Sequence, residues 1–192
     1  SLSAISFQNT KNITIGPNLF KGCNSLKQIS IIKSKKANFS NCCFENCSKL
    51  QIIEVDCEEL IIGENCFANC TLLTTLKLIV ANTIKLNSKS FHGANNLKSI
   101  SFVHASLIQI PDESFIHCKN LESINFEGEK INIGSSCFNE IESLKFACFN
   151  CSELLIGCKC FHKCINLESI SFQNVKNAKF ENYAFAYCQK LS

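Results

Sequence analysis

The sequence predicts an α/β solenoid, a superhelix of about eight units of 23–24 residues stacked along one axis. Three observations lead to this prediction. A phenylalanine recurs every 23 or 24 residues along the whole chain. A leucine stands six residues after each of these phenylalanines, and aliphatic residues follow at fixed distances. Because one such unit cannot bury its apolar side alone, the copies are expected to stack on one another.

The residues that define the repeat stay in phase from end to end. The repeat phenylalanines are Phe20, Phe44, Phe67, Phe91, Phe115, Phe138, Phe161 and Phe185. The leucines are Leu26, Leu50, Leu73, Leu97, Leu121, Leu144, Leu167 and Leu191. The chain starts inside one copy and stops inside another, so we predict a single domain over residues 1–192, truncated within a repeat at both ends. It contains no methionine, and we therefore expect a segment of a longer protein.

Each unit is expected to contain a main strand, a short helical turn and a short second strand. Alternating apolar residues such as Leu26, Ile29 and Ile31 predict the main strand, since alternation is typical of a half-buried strand. The pattern Phe-x-x-Cys-x-x-Leu spaces its apolar groups by three residues, which predicts one helical or 3₁₀-like turn. A second alternating pair, for example Ile108 and Ile110, predicts the second strand.

The repeat accounts for most of the fifteen cysteines. Six lie three residues after a repeat phenylalanine and four lie directly before one: Cys23, Cys47, Cys70, Cys118, Cys164 and Cys188, then Cys43, Cys66, Cys137 and Cys160. Other copies fill these positions with alanine, serine, leucine or isoleucine, so the positions require a small or apolar group rather than a thiol. We therefore expect reduced, packed cysteines in preference to a disulfide framework.

The densest cysteine group, Cys148-x-x-Cys151 with Cys158-x-Cys160, raises the question of a zinc site. Cys148, however, falls on a main strand and Cys160 in a repeated core position. The interpretation as packed thiols is favoured here too, and we predict no metal ligands.

Composition also argues against several function classes. The net charge is only +3 and all 19 basic residues are lysine. Without arginine, bidentate recognition of phosphate or guanine is lost, so nucleic-acid binding is not expected. The one basic cluster, Lys33-Ser34-Lys35-Lys36, is interpreted as a solvated loop. No run of 18 or more apolar residues occurs, and we expect no membrane insertion by this segment.

The chemistry of catalysis is missing from the sequence. Three of the four histidines, His92, His117 and His162, follow repeat phenylalanines of separate copies, without the carboxylate or thiol partner that a nucleophilic mechanism needs. Only two aspartates occur, and no Gly-rich phosphate loop is present. We therefore predict no enzyme, no catalytic residues and no cofactor.

The outward side chains of the main strands form the predicted binding face. They lie eight, ten and twelve residues after each repeat phenylalanine and line one continuous surface of a solenoid. The predicted partner-binding residues are Gln28, Ser30, Glu54, Asp56, Thr75, Lys77, Ser99, Ser101, Ser123, Asn125, Phe146, Asn150, Ser169 and Ser171. Apolar residues in the same rows, such as Ile79, either contact a partner or pack on one another along the stack.

The unit resembles the BspA-like, treponemal-type leucine-rich repeat, whose copies read roughly Ile-x-Ile-Pro-x-x-x-Phe-x-x-Cys-x-x-Leu-x-x-Ile. Residues 108–124 match this pattern nearly throughout, and the resemblance covers the whole chain. Proline holds its position only at Pro111, and the cysteine is replaced by Ala94 and Ile141 in two copies. The resemblance implies a leucine-rich-repeat superhelix.

Relatives of this type occur in bacteria and protozoa, often on the cell surface, with proposed roles in adhesion. The leading hypothesis is thus a non-enzymatic protein–protein interaction module, an adhesin-like surface protein that binds another protein on its main-strand face. The alternative is an intracellular scaffold, docked onto a cytoskeletal or other large assembly, because packed thiols suit a reducing compartment. Abundant Lys, Asn, Ile and Phe beside absent Arg indicate an AT-rich genome, which suits a protist.

Overall fold

The computed structural model describes residues 2–192, which form one parallel β-sheet of eleven strands. The strands are β1 (Ala4–Gln8), β2 (Asn12–Ile15), β3 (Gln28–Phe39), β4 (Ile52–Ile62), β5 (Thr75–Leu86), β6 (Ser99–Ile110), β7 (Ser123–Ile133), β8 (Phe146–Asn150), β9 (Glu153–Ile156), β10 (Ser169–Gln173) and β11 (Asn177–Phe180). Each strand pairs with its counterpart one repeat away. The chain is therefore a β-solenoid, and the predicted stacking of the copies is confirmed. It makes about seven turns, here called coils, because the first and last copies are partial.

The main strand and the second strand are continuous in the middle of the chain. Strands β3–β7 are 11 or 12 residues long and cover both predicted segments. A register shift marks the bend between the two halves, for example between Ile31 and Ser34. Elsewhere the same path is divided into β1 and β2, β8 and β9, and β10 and β11. Both predicted strand segments are thus present, as two halves of one bent path.

The predicted helical turn is wrong, since residues 2–192 contain no helix. The chain adopts a left-handed conformation two residues before and two residues after every repeat phenylalanine, as at Asn69 with φ 58°. Backbone N–H groups therefore alternate in direction: Cys70 donates within its own turn to Phe67, whereas Phe67 donates to Ser90 of the next coil. A helix would satisfy all of them internally. Consecutive three-residue turns space their apolar groups as a helix does, which explains the wrong prediction. The fold class is therefore a β-solenoid rather than an α/β solenoid.

The core is a continuous column of phenylalanine rings. The eight repeat phenylalanines stack face to face with centroids 5.2–5.4 Å apart and planes within 16° of parallel. The rings of Phe44 through Phe161 are fully buried, as are the repeat leucines Leu26 through Leu167. Stacked aromatic pairs at this distance add about 0.5–1.5 kcal/mol each beyond the area that they bury. The core is consequently long and thin, and every coil depends on its two neighbours.

Candidate interaction surface

The main-strand face consists of the residues eight, ten and twelve positions after each repeat phenylalanine. The strands pair in register, so that Ser99 lies opposite Ser123 and Ser101 lies opposite Asn125. Side chains alternate between the two sides of a strand. On β6, Ile100 is accordingly buried in the core while its neighbours Ser99 and Ser101 are exposed. The sequence alternation therefore produces three straight rows of side chains along the solenoid.

The predicted partner-binding residues lie on this face, with unequal access to solvent. The exposed ones are Thr75, Lys77, Ser99, Ser101, Asn125, Phe146, Ser169 and Ser171. The half-buried ones are Gln28, Glu54, Asp56, Ser123 and Asn150. Ser30 is only 8% exposed, because its short side chain stands next to the longer Glu54 in the row. A partner that lies on the face reaches Ser30 poorly.

Apolar and acidic groups meet in a shallow depression on this face. It has a volume of about 110 Å³ and is lined by Ile31, Ile32, Glu54, Val55, Asp56, Lys77 and Ile79. Pockets for small ligands usually measure about 300–1,000 Å³, so the depression suits one side chain of a partner rather than a substrate. Ile79 lies between Asp56 and Val103 in its row and still keeps 45% of its surface exposed. It is therefore available for contact although it also has an apolar neighbour.

Ion pairs join neighbouring coils at several places. Lysines on the turns and second strands pair with glutamates one coil away: Lys21 with Glu45, Lys36 with Glu59, Lys89 with Glu113, Lys130 with Glu153 and Lys163 with Glu140, at 2.8–3.2 Å. On the main-strand face, Glu127 lies 3.7 Å from Nδ1 of His104. Within residues 2–192, Glu54, Asp56 and Lys77 of the same face make no ion pair, although Glu54 and Lys77 are register neighbours. These three charged groups are therefore free to pair with another molecule.

Two histidines that are distant in sequence come together on the turns. The rings of His92 and His117 meet edge to face with centroids 5.1 Å apart. The buried Nδ1 of His92 finds no hydrogen-bond partner among the described residues. Burial lowers the pKa of His92, and the positive charges of His117 and Lys89 lower it further. Neighbouring copies of the repeat lie side by side in the stack, so equivalent positions on their turns come into contact. Sequence distance alone does not predict this contact between His92 and His117.

The described part of the chain offers no assembled ligand set for a metal. No group of three or more His, Cys, Asp or Glu side chains could hold an ion within residues 2–192. Each of the fifteen cysteines lies in this range, and each is a free thiol. Cys148 sits half-buried on β8, whereas Cys151 and Cys160 are buried in the core. Because the described residues form no helix, none is present that could span a membrane.

Comparisons with known proteins agree with this architecture. A family model described as "BspA type Leucine rich repeat region (6 copies)" matches residues 1–84 and 60–192. A search of the curated proteins found no match.

Two solved structures are similar to the chain. A leucine rich cell surface protein from Faecalibacterium prausnitzii A2-165 has 12% identity and a TM-score of 0.52, over 98% of this chain and 80% of that chain. A leucine-rich repeat protein from Bacteroides ovatus ATCC 8483 has 18% identity and a TM-score of 0.35, over 98% of this chain and 73% of that chain. The likeness to the first structure is evidence of fold alone.

Proposed function

Because the chain belongs to the BspA-type leucine-rich repeat family, we propose that it is a non-enzymatic interaction module that binds another protein on its main-strand face. Repeat proteins of this architecture present long, regular surfaces that suit macromolecular partners. The depression on the face is too small for a typical small-molecule ligand. The partner's contact is therefore spread over several coils.

The observation that carries this proposal is a group of charged side chains beside an exposed apolar one on the main-strand face. Glu54, Asp56 and Lys77 make no ion pair within residues 2–192, and they lie beside the exposed Ile79. Apolar side chains with charged neighbours are typical of a contact surface.

The natural location that we propose is the cell surface, where the protein acts as an adhesin. One structural neighbour carries the name leucine rich cell surface protein, which supports this location. The free thiols favour the second candidate, an intracellular scaffold docked onto a cytoskeletal or other large assembly, because thiols persist in reducing compartments.

Two matched triple variants test the binding face. Lys77→Glu, Ser101→Glu and Asn125→Glu alter one row of the main-strand face across β5, β6 and β7. As the control, Lys85→Glu, Gln109→Glu and Asn132→Glu alter the equivalent row on the second half of the same strands. Both triples convert one lysine and two uncharged residues, so they change the net charge equally.

Adhesion of beads coated with the protein to cultured cells is the measurement. We expect the main-strand triple to abolish adhesion and the control triple to retain it, with both variants showing the wild-type circular dichroism spectrum. Loss of adhesion in the control triple alone would contradict the proposed face. Adhesion that is insensitive to trypsin treatment of the target cells would contradict a protein partner.

Immunolocalisation of the natural protein separates the two candidate locations. Asn12 and Asn38 each begin an Asn-x-Ser/Thr triplet, the acceptor of N-linked glycans in secreted proteins. Surface labelling of intact cells, together with glycans at Asn12 or Asn38, is expected for the adhesin. Labelling only after permeabilisation, with cosedimentation of the purified protein with actin filaments or microtubules, would instead favour the scaffold.

A further inference from the structure

Ten of the fifteen cysteines lie in two columns that run along the solenoid. The pre-Phe column contains the cysteines directly before a repeat phenylalanine: Cys43, Cys66, Cys137 and Cys160. The post-Phe column contains those three residues after it: Cys23, Cys47, Cys70, Cys118, Cys164 and Cys188. The two columns have the same residue type and nearly the same burial, but their sulfur atoms are engaged differently.

Thiols of the post-Phe column are hydrogen-bonded to the backbone. Five of the six donate to the carbonyl oxygen of the repeat phenylalanine one coil earlier, at 3.1–3.4 Å, in the pairs Cys47 and Phe20, Cys70 and Phe44, Cys118 and Phe91, Cys164 and Phe138, and Cys188 and Phe161. Their sulfur atoms are thus directed at peptide oxygens, even where cysteines occupy consecutive coils.

In the pre-Phe column, the thiols of Cys43 and Cys66 contact each other instead. The Sγ atoms of Cys43 and Cys66 lie 3.3 Å apart, and both residues are fully buried. The Phe44 N–H donates to the carbonyl of Cys66 at 3.0 Å, which holds the two coils in register at this point. A disulfide needs a Cα separation of about 4.4–6.8 Å. Neighbouring strands about 4.8 Å apart meet that requirement, and the sulfur atoms need to approach by only about 1.3 Å more.

Cys137 and Cys160, four coils further on, hold the same column positions, but their thiols are not paired in the same way. The Phe138 N–H donates to the carbonyl of Cys160 at 2.9 Å, whereas the thiol of Cys137 donates to the carbonyl of Pro111 at 2.9 Å. Between these residues and Cys43 with Cys66, Ser90 and Ser114 occupy the same column position. Cys43 and Cys66 therefore form the thiol pair of this column.

From this geometry we propose that Cys43 with Cys66 is an oxidative modification site, which forms a disulfide between neighbouring coils when the protein meets a small-molecule disulfide. One thiolate attacks a sulfur of the oxidant, whose S–S bond breaks to release a first small thiol. The neighbouring thiolate then attacks the protein sulfur of the mixed disulfide and displaces the second small thiol. The protein loses two protons and two electrons, and the oxidant is reduced to two thiols.

Burial makes the reaction slow but not unfavourable. It raises the pKa of Cys66, so little thiolate is present in the closed structure. Reaction requires local opening of the turns, whereas the link, once formed, is protected by the same burial. Because the two thiols of a pair are held together, the internal disulfide is favoured over a mixed disulfide with the oxidant. Exposed single thiols have no such advantage.

The test is refolding in a redox buffer. The chain is unfolded in urea, refolded with 2-hydroxyethyl disulfide and 2-mercaptoethanol, quenched by alkylation, and mapped by mass spectrometry without reduction. Because refolding starts from the unfolded chain, burial does not prevent the small-molecule disulfide from reaching the thiols. The yields of the protein disulfides therefore report which links the fold favours. We expect the link between Cys43 and Cys66 in at least about tenfold greater yield than any link within the post-Phe column. Equal or lower yield of the link between Cys43 and Cys66 would overturn the proposal.

Matched variants assign the link. Cys43→Ser should remove it, and serine is native to this column at Ser90 and Ser114. Cys118→Ala should leave it, as alanine is native to the post-Phe column at Ala94. Protein that was never unfolded is incubated with the same disulfide as a second arm, in case refolding is incomplete. Absence of the link there, over a time in which buried amide hydrogens exchange, would also contradict the proposal.

Discussion

Replacing Phe91 by alanine should destabilise the solenoid more than the same change at any exposed phenylalanine. Phe91 is fully buried, and its ring stacks on Phe67 at 5.3 Å and on Phe115 at 5.2 Å. The change removes the ring from the middle of the column, so both neighbouring coils lose their contact at once. Phe146, on the main-strand face, keeps 48% of its surface exposed and serves as the control.

The size of the effect follows from burial and stacking. Truncation of a buried phenylalanine to alanine costs about 3–5 kcal/mol, which includes the cavity left behind. Loss of two stacked pairs adds about 0.5–1.5 kcal/mol each. We therefore expect the Phe91→Ala variant to lose about 4–8 kcal/mol, and its Tm to fall by about 8–32 °C for a chain of this length. The Phe146→Ala variant should change by only about 0.5 kcal/mol, in line with other surface substitutions.

Urea unfolding followed by far-ultraviolet circular dichroism measures both variants. Phe20→Ala adds a graded comparison, because Phe20 is half-buried and stacks only on Phe44 among the described residues. The expected order of destabilisation is Phe91→Ala, then Phe20→Ala, then Phe146→Ala. Equal destabilisation of the Phe91 and Phe146 variants would refute the view that the ring column holds the coils together.

Three further predictions concern the backbone, pH and surface charge. Gly157→Ala should cost about 1–3 kcal/mol, because a Cβ would lie 2.6 Å from the backbone of the previous coil, whereas Gly16→Ala, with open space around it, should be neutral in the same urea assay. Burial lowers the pKa of His92 relative to the unfolded chain, so the unfolded state binds more protons below about pH 6.5 and stability should fall as the pH drops from 7 to 5. Unfolding free energies measured across that range should depend less on pH in the His92→Gln variant than in the wild type. Lys163→Ala breaks an exposed ion pair and should lower the midpoint of thermal unfolding by no more than about 2 °C, equivalent to about 0.5 kcal/mol.

The spacing of phenylalanine and leucine was sufficient to predict the stack, its register and the face that points outward. It could not distinguish a helical turn from consecutive left-handed turns, since both repeat their apolar groups every three residues. A second signal lay in Asn18, Asn65, Asn69 and Gly93, because asparagine and glycine adopt positive φ more readily than other residues. Other copies obscure this signal, as Lys159 occupies the same left-handed position with φ 54°.

The candidate surface was predictable as rows but not in its details. Whether a given row member is accessible depends on the size of its neighbours one coil away, as the burial of Ser30 beside Glu54 shows. The contact between His92 and His117 and the thiol pair of Cys43 and Cys66 likewise depend on side-chain directions on the turns. Repeat spacing alone assigns a residue to a column, and the local backbone conformation then decides which atoms meet.

The alternation of N–H directions on the turns has a mechanical consequence. Hydrogen bonds from Phe67 to Ser90, and from Asn69 to His92, run parallel to the long axis of the molecule. A force that pulls its two ends apart therefore loads the boundary between two coils directly, and boundaries yield in succession rather than together. Each rupture frees about 23 residues, or about 75 Å of extended chain. A protein built in this way extends stepwise under load, as an elastic tether does.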